Sequence, residues 1–178
     1  EWLFDRVMGT DEMNRPQSRQ TKRVLEVFSL FDKVEWRNEQ AGISSEAEFI
    51  AELAGLKDDF RTFQDIVGEQ QERGTLQGEY YLSITPFPLA AHLLRSWIEA
   101  NGPDGIEKLL AESPQEMVSR FGERIPYLST TNAGKNWVRK TLSTEGPFFS
   151  DNGHLLETEG GSELFLRLTE AAPSEAID

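Results

Sequence analysis

The stretch that decides the fold is residues 72–90, "ERGTLQGEYYLSITPFPLA", where the sequence pattern changes twice. It begins as the end of a helix, and Gly74 stands where a left-handed C-terminal residue is expected. Apolar and polar side chains then alternate around a tight turn at Gly78, which predicts a short β-hairpin. After the hairpin, Thr85 can cap a further helix whose first residue is Pro86, where a missing N–H costs nothing.

The two faces of this hairpin are predicted to differ. Three side chains of its second strand share one face and are expected to pack against the first and third helices: Tyr80, Leu82 and Ile84. Tyr81 and Ser83 lie on the opposite face, because successive side chains of a strand alternate between faces. We expect that opposite face to be more exposed or to meet another domain.

Three amphipathic helices are predicted ahead of the hairpin, because apolar residues recur at steps of three and four. The first ends near Lys33, the second at Gly55 and the third at Gly74, and "WRNEQAGIS" is predicted to be a loop. Each helix has a residue that can cap its start, namely Ser18, then Ser44 or Ser45, then Asp58 or Asp59. Three helices followed by a hairpin is the order of a winged helix. The predicted fold is therefore mainly α, with a winged-helix domain over residues 18–100.

A helical extension is predicted for residues 101–178. The helix after the hairpin is expected to stop at "NGP", residues 101–103, and shorter helices follow, one of them capped by Asn132. The segment "GGSELFLRLTEAAPSEAID" has Leu164, Phe165 and Leu168 on one face, and a further helix is expected from Pro173. This succession resembles the start of a helical-repeat array. Residues 1–17, which open with the amphipathic "EWLFDRVM", are interpreted as the tail of an upstream helical region and a connector, and hence as part of a longer protein.

The composition limits the chemistry of the chain. Its 178 residues include no cysteine and two histidines, which excludes disulfides and thiol catalysis and leaves little for structural zinc. The net charge is −13, and a chain this acidic repels nucleic acid unless it has a local basic face. No apolar run approaches the roughly 18 residues of a membrane span, and no signal peptide is visible. We therefore expect a cytoplasmic location without membrane contact.

Three stretches resemble a known arrangement: "LEVFSLFDKVEW", "AELAGLKDDFRTFQDIVGEQQERGTLQGEYYLSITPFPLAAHLLRSW" and "LSTEGPFFSDNGHLLETEGGSELFLRLTEAAP". The arrangement is that of large bacterial signal-transduction ATPases of the STAND class of the AAA+ superfamily. In these proteins a winged helix follows the nucleotide-binding module, and helical repeats follow the winged helix. The resemblance covers residue 19 to about residue 178. It implies a regulatory segment without a cofactor of its own, placed between an upstream module that binds ATP or another nucleotide and a downstream sensor array.

The third predicted helix has the wrong charge for reading DNA. In a DNA-binding winged helix this helix enters the major groove with Arg, Lys, Asn and Gln side chains facing the bases. Here Lys57, Arg61 and Arg73 stand against five acids, a net charge of −2, and the hairpin turn "TLQGEYY" adds only Glu79. We expect nucleic-acid binding to be absent and protein contact to replace it. The acids that are candidates for this contact are Asp58, Asp65, Glu69 and Glu72.

A second candidate contact region is the stretch from residue 124 to residue 144, which contains no carboxylate. Its cations could bind phosphate, nucleic acid or an acidic partner, and they are Arg124, Lys135, Arg139 and Lys140. Lys135, Arg139 and Asn136 are expected to share a helical face beside Trp137. The alternative interpretation is a solvated face that balances neighbouring acids.

Catalytic, nucleotide and metal sites are not predicted. Gly134-Lys135 could belong to a P-loop, but that motif needs Gly at residue 129 and Ser or Thr at residue 136, where the chain has Ser and Asn. The two residues are better explained as part of a helix start. His92 is interpreted as an ordinary helix residue, and His154 makes no metal case alone. None of the common catalytic signatures of hydrolases is present.

The predicted function is a non-catalytic regulatory and interaction segment of a bacterial STAND-type ATPase. Its expected partners are intramolecular, namely the upstream nucleotide-binding module and the downstream repeats. The alternative is a winged-helix transcription regulator that binds DNA, and a hydrolase with an unrecognised site is a third hypothesis. A P-loop upstream of Glu1 would favour the first.

Overall fold

The structure, a computed structural model, describes residues 16–38, 42–143 and 159–171. Within these ranges the chain forms eight α-helices and small antiparallel sheets, which confirms the prediction that it is mainly helical. The chain divides into two compact units between Leu94 and Arg95. The predicted domain boundary at residue 100 stays a prediction.

The first unit alternates helices with very short strands. Its elements are α1 (Pro16–Ser29), β1 (Val34–Glu35), β2 (Arg37–Asn38), β3 (Gly42–Ile43), α2 (Ser45–Leu53), α3 (Phe60–Glu72), β4 (Leu76–Gln77), β5 (Tyr81–Ile84) and the start of α4 (Phe87–Glu112). One antiparallel sheet has the order β1-β5-β4, and Val34 lies opposite Leu82 in it. The strands β2 and β3 form a separate antiparallel pair.

The bounds of α1 differ from the prediction at both ends. The helix begins at Pro16 rather than Ser18, and it ends at Ser29 rather than near Lys33. The next two backbone N–H groups bond three residues back instead of four, which tightens the last turn and stops the helix. The apolar residues that follow continue the helical spacing although they lie outside the helix, and all are buried: Leu30, Phe31 and Val34.

The prediction of a loop for "WRNEQAGIS" is wrong, because β2 and β3 lie within it. Each of these strands has two residues, which is too short for an alternating pattern to appear in the sequence. The backbone N–H of Ser44 donates to the carbonyl of Trp36 at 3.2 Å, next to this antiparallel pair.

The ends of α2 and α3 follow the predicted chemistry. The Oγ atom of Ser44 accepts a hydrogen bond from the backbone N–H of Ala47 at 3.1 Å, so Ser44 is the N-cap of α2. Asp59 caps α3 through a bond of 3.3 Å from the N–H of Thr62 to its Oδ1 atom. Positive φ angles are energetically accessible to glycine, and they occur after the two helices as predicted, at Gly55 (75°) and Gly74 (73°).

The core of the first unit is built around Phe63 on α3, whose side chain is fully buried. Its ring stacks on Phe28 of α1, with the centroids 6.3 Å apart. Trp36 lies 5.8 Å from it and Phe60 lies 5.4 Å from it, both in tilted arrangements. This aromatic cluster joins α1, the strand region and α3. It stabilises the core because burial of each ring removes a large apolar area from water.

The predicted hairpin is present, because β4 and β5 pair in antiparallel fashion. Leu82 and Ile84 are buried, and Tyr81 on the opposite face is 43% exposed, all as predicted. The prediction that Tyr80 packs in the core is wrong, since its side chain is 50% exposed. Tyr80 precedes β5, and its carbonyl accepts the backbone N–H of Trp36 at 2.7 Å, so it lies in the turn rather than in the alternating strand.

The fourth helix begins one residue later than predicted and is interrupted where a stop was predicted. It starts at Phe87, so Pro86 lies just before the helix and not at its first position. Gly102 has φ 66° and ψ −170°, which breaks the helical backbone directly before Pro103. The chain then resumes as a helix to Glu112.

The second unit continues with α5 (Gln115–Gly122), α6 (Ile125–Leu128), α7 (Asn132–Leu142) and α8 (Glu159–Ala171). Phe121 and Trp137 are buried in an edge-to-face pair with centroids 6.0 Å apart. Leu164 and Leu168 of α8 are buried as predicted, whereas Phe165 is only half-buried. Thr131, not Asn132, caps α7. The expected helices at residues 1–8 and from residue 173 lie outside the described residues.

Candidate protein-contact site

The outer face of α3 carries acids that are open to solvent. The buried face of this helix consists of Phe63, Ile66, Val67 and Gln70. Asp65 and Glu72 lie seven residues apart on the opposite face, and both are exposed, as is Asp58 just ahead of the helix. Arg61 is the exposed cation of the same face. The structure therefore brings three of the four predicted acids of this region to the surface with their carboxylates accessible.

The fourth acid, Glu69, is engaged within the helix. Its Oε1 atom lies 2.5 Å from Nη2 of Arg73, one turn later. An exposed pair of this kind contributes only about 0.3–0.5 kcal/mol to helix stability. It does neutralise Glu69 locally, so Asp65 and Glu72 are the stronger candidates for contact with a basic partner.

A groove of about 460 Å³ lies between α2 and the start of α3, and we call it the α2–α3 groove. Its lining residues come from α2, from the start of α3 and from the segment between them: Ser45, Glu48, Phe49, Glu52, Lys57 and Phe60. The Nζ atom of Lys57 donates to Oε2 of Glu52 at 2.7 Å. This hydrogen bond and the charge of Glu52 raise the pKa of Lys57 above its usual value.

This groove was not predicted from the sequence. Its signal was the pattern "SEAEFIAE", in which Ser45, Glu48, Phe49 and Glu52 fall at helical spacing on one side of α2. That pattern indicates a shared face. It does not show that Phe60 of α3 also lines the groove.

Three of the four large apolar side chains that are exposed among the described residues lie close together in sequence: Tyr80, Tyr81 and Phe87. They occupy the turn before β5, β5 itself and the start of α4. The Nζ atom of Lys33 lies 5.4 Å from the ring centroid of Tyr81, within the range of a cation–π interaction. Tyr80 and Tyr81 make the turn end of the hairpin aromatic, whereas Phe87 follows the other end of β5.

The predicted basic region is not one exposed surface. Arg124 is only 7% exposed. Lys140 pairs with Oε1 of Glu107 at 2.7 Å, and that hydrogen bond raises its pKa. Lys135 and Arg139 are exposed one turn apart on α7, but Trp137 is 1% exposed and lies in the core.

Gly134 has a packing role. Its backbone N–H donates to Oγ1 of Thr131 at 2.9 Å, within the cap of α7. A Cβ atom at residue 134 would lie 2.1 Å from the carbonyl oxygen of Leu128, so only glycine fits there. This backbone is closely packed against α6 rather than open to a phosphate.

Other classes of site find no support in the described part of the chain. Residues 16–38, 42–143 and 159–171 contain no group of three or more His, Asp or Glu side chains that could hold a metal ion. No helix within those ranges is long and apolar enough to span a membrane. His92 is half-buried on α4, and His154 lies outside the described residues.

Comparisons with known proteins identify no family. No protein-family model matches the chain, and no curated protein or solved structure matches it significantly.

Proposed function

We propose that this chain is a non-catalytic regulatory and interaction segment of a bacterial STAND-type ATPase. In this proposal the first unit is a winged helix that packs on an upstream nucleotide-binding module. The second unit begins a helical-repeat array that leads to a downstream sensor. The compartment is the bacterial cytoplasm, which fits the absence of cysteine from the chain.

The order of elements in the first unit supports the winged-helix part of the proposal. A first helix leads into a strand, two further helices follow, and a hairpin closes the succession. The strand β1 pairs with β5 beside β4, so the hairpin is anchored to the helical core through β1. In a winged helix with this order of elements, α3 corresponds to the recognition helix.

The observation that carries the functional proposal is the exposed acidic face of α3. Asp65 and Glu72 are exposed where a DNA reader would present cations to phosphates and bases. Carboxylates there oppose nucleic-acid binding and complement a basic protein surface. Such complementarity fixes the register of two surfaces and disfavours wrong partners more than it adds affinity.

The exposed aromatic residues near the hairpin support protein contact as well. Tyr80, Tyr81 and Phe87 are each at least 43% exposed. Tyrosine and other aromatic residues are enriched at protein interfaces, where their large apolar area contributes most of the binding energy. We propose that they contribute to the intramolecular contact.

A full-length protein with the upstream module provides the test. Reversing two exposed acids, Asp65→Lys with Glu72→Lys, should change basal ATPase activity or oligomerisation. A matched control reverses exposed acids of the second unit, Glu112→Lys with Glu116→Lys. A contact regulates the ATPase only if it differs between the active and inactive states of the full-length protein. We therefore expect the α3 double variant to change ATPase activity or oligomerisation and the control double variant to leave both unchanged. Equal behaviour of both pairs and the wild type would remove the α3 contact from the proposal.

The alternative function, a DNA-binding transcription regulator, has its own test. Fluorescence anisotropy with duplex DNA at physiological salt should show no sequence-specific binding by this chain. Arg61 is the exposed cation of the outer face of α3, so Arg61→Ala should leave the signal unchanged. Tight binding that disappears in Arg61→Ala would establish the alternative.

A further inference from the structure

We propose that the α2–α3 groove is a docking site for a segment of a partner protein that presents an apolar side chain next to a Lys or Arg. This surface is distinct from the outer face of α3. The inference does not require an upstream ATPase module, so it can hold or fail separately from the proposed function.

Two aromatic side chains form the apolar part of the groove, and one of them is attached to the core. Phe49 of α2 and Phe60 of α3 line it, and both are half-buried. Phe60 lies 5.4 Å from the ring of Phe63, which is fully buried and stacked on Phe28. Phe60 is thus the outer member of the aromatic cluster of the core. A wall attached to the core is already ordered before binding, which lowers the entropy cost of docking.

The charge of the groove selects the polar part of the ligand. Lys57 is held by Glu52 at 2.7 Å, so these two charges offset each other. Glu48 is exposed and lines the groove, and its charge also acts on Lys57. The lining thus holds two carboxylates, Glu48 and Glu52, against one cation, Lys57, so its net charge is negative. A Lys or Arg of the partner could pair with Glu48, whereas an acidic ligand would be repelled.

The shape of the groove favours a protein side chain over a small molecule. The Lys57 and Glu52 side chains at its edge remain 67% and 55% exposed, so the groove is open to solvent. Small-molecule sites bury most of the surface of their ligand. An open groove with two aromatic walls instead suits one apolar side chain that projects from a helix, with the charged neighbour of that side chain at the edge.

The test uses this chain and a fluorescein-labelled synthetic helical peptide with Leu along one face and Lys beside it. Two comparison peptides replace either every Lys by Glu or every Leu by Ser. Fluorescence anisotropy at physiological salt should show saturable binding of the first peptide, and binding of the other two should be weaker by roughly tenfold or more. A copy of the peptide with a photoreactive leucine should crosslink to residues that line the groove, as mapped by mass spectrometry.

Matched variants of the chain locate the site. Glu48→Lys should weaken binding of the Leu/Lys peptide by roughly tenfold, whereas Glu72→Lys, the same charge change outside the groove, should change it by less than about twofold. Both residues are exposed, and circular dichroism will verify that both variants are folded. Equal weakening by the two variants would show diffuse attraction to an acidic surface. Three results would overturn the proposal. They are absence of saturable binding, equal binding of the peptide in which Ser replaces Leu, and self-association of the chain that Glu48→Lys abolishes.

Discussion

Ser44 connects two elements through a single hydroxyl group. Its side chain is fully buried, its Oγ atom accepts from the N–H of Ala47, and it donates to the carbonyl of Glu35 in β1. Ser44→Ala removes the cap of α2 and leaves that carbonyl without this donor, so the free energy of unfolding should fall by about 1–2 kcal/mol. Urea unfolding measures the change. Ser45→Ala, the exposed neighbour, is the control and should stay within about 0.5 kcal/mol of the wild type.

Two glycines within helices should respond to alanine with opposite signs. At Gly68 of α3 an added Cβ meets nothing within 4 Å, so Gly68→Ala should stabilise by about 0.5–1 kcal/mol through helix propensity. At Gly134 of α7 the Cβ would lie 2.1 Å from the carbonyl oxygen of Leu128. Gly134→Ala should therefore destabilise by about 1–3 kcal/mol despite the same gain in propensity. Thermal unfolding of both variants compares the signs, and stabilisation by Gly134→Ala would contradict the close packing of α7 on α6.

At the scale of the element, the hairpin is held by one face of β5. Leu82 is fully buried opposite Val34 of β1, so Leu82→Ala should lower the free energy of unfolding by about 2–5 kcal/mol. Tyr80 is half exposed in the preceding turn, so Tyr80→Ser should cost no more than about 0.5 kcal/mol. Urea unfolding of the two variants decides between this arrangement and the predicted one. A large loss from Tyr80→Ser would place that side chain in the core.

At the scale of the whole molecule, the chain should not bind ATP. Its net charge is −13, its P-loop pattern is incomplete, and the backbone of Gly134 is packed against Leu128. Isothermal titration calorimetry with ATP and Mg²⁺ should show no saturable binding by the wild type. Saturable binding that Lys135→Ala abolishes and Lys140→Ala retains would show that Gly134-Lys135 holds phosphate after all.

The sequence by itself determined the features that depend on interactions within a few residues. The caps at Ser44 and Asp59 each bond to an N–H three residues ahead, and the helix ends at Gly55 and Gly74 need only a backbone that glycine allows. The interruption of α4 at Gly102 is equally local. Charge is additive along the chain, so the acidic surface of α3 could also be predicted.

Tertiary structure alone decided the features that depend on residues distant in sequence. The pairing of β1 with β5 could not be read from the sequence, nor could the end of α1 at Ser29, because the helical spacing of apolar residues continues beyond it. Arg124 is buried by the elements packed around it, although its charge alone had made it a candidate for contact with a partner. The α2–α3 groove exists because Phe49 of α2 and Phe60 of α3 line one concave surface, and nothing in either segment alone brings them together. Local hydrogen bonds and backbone preferences are encoded residue by residue, whereas burial and concave surfaces result from which elements pack together.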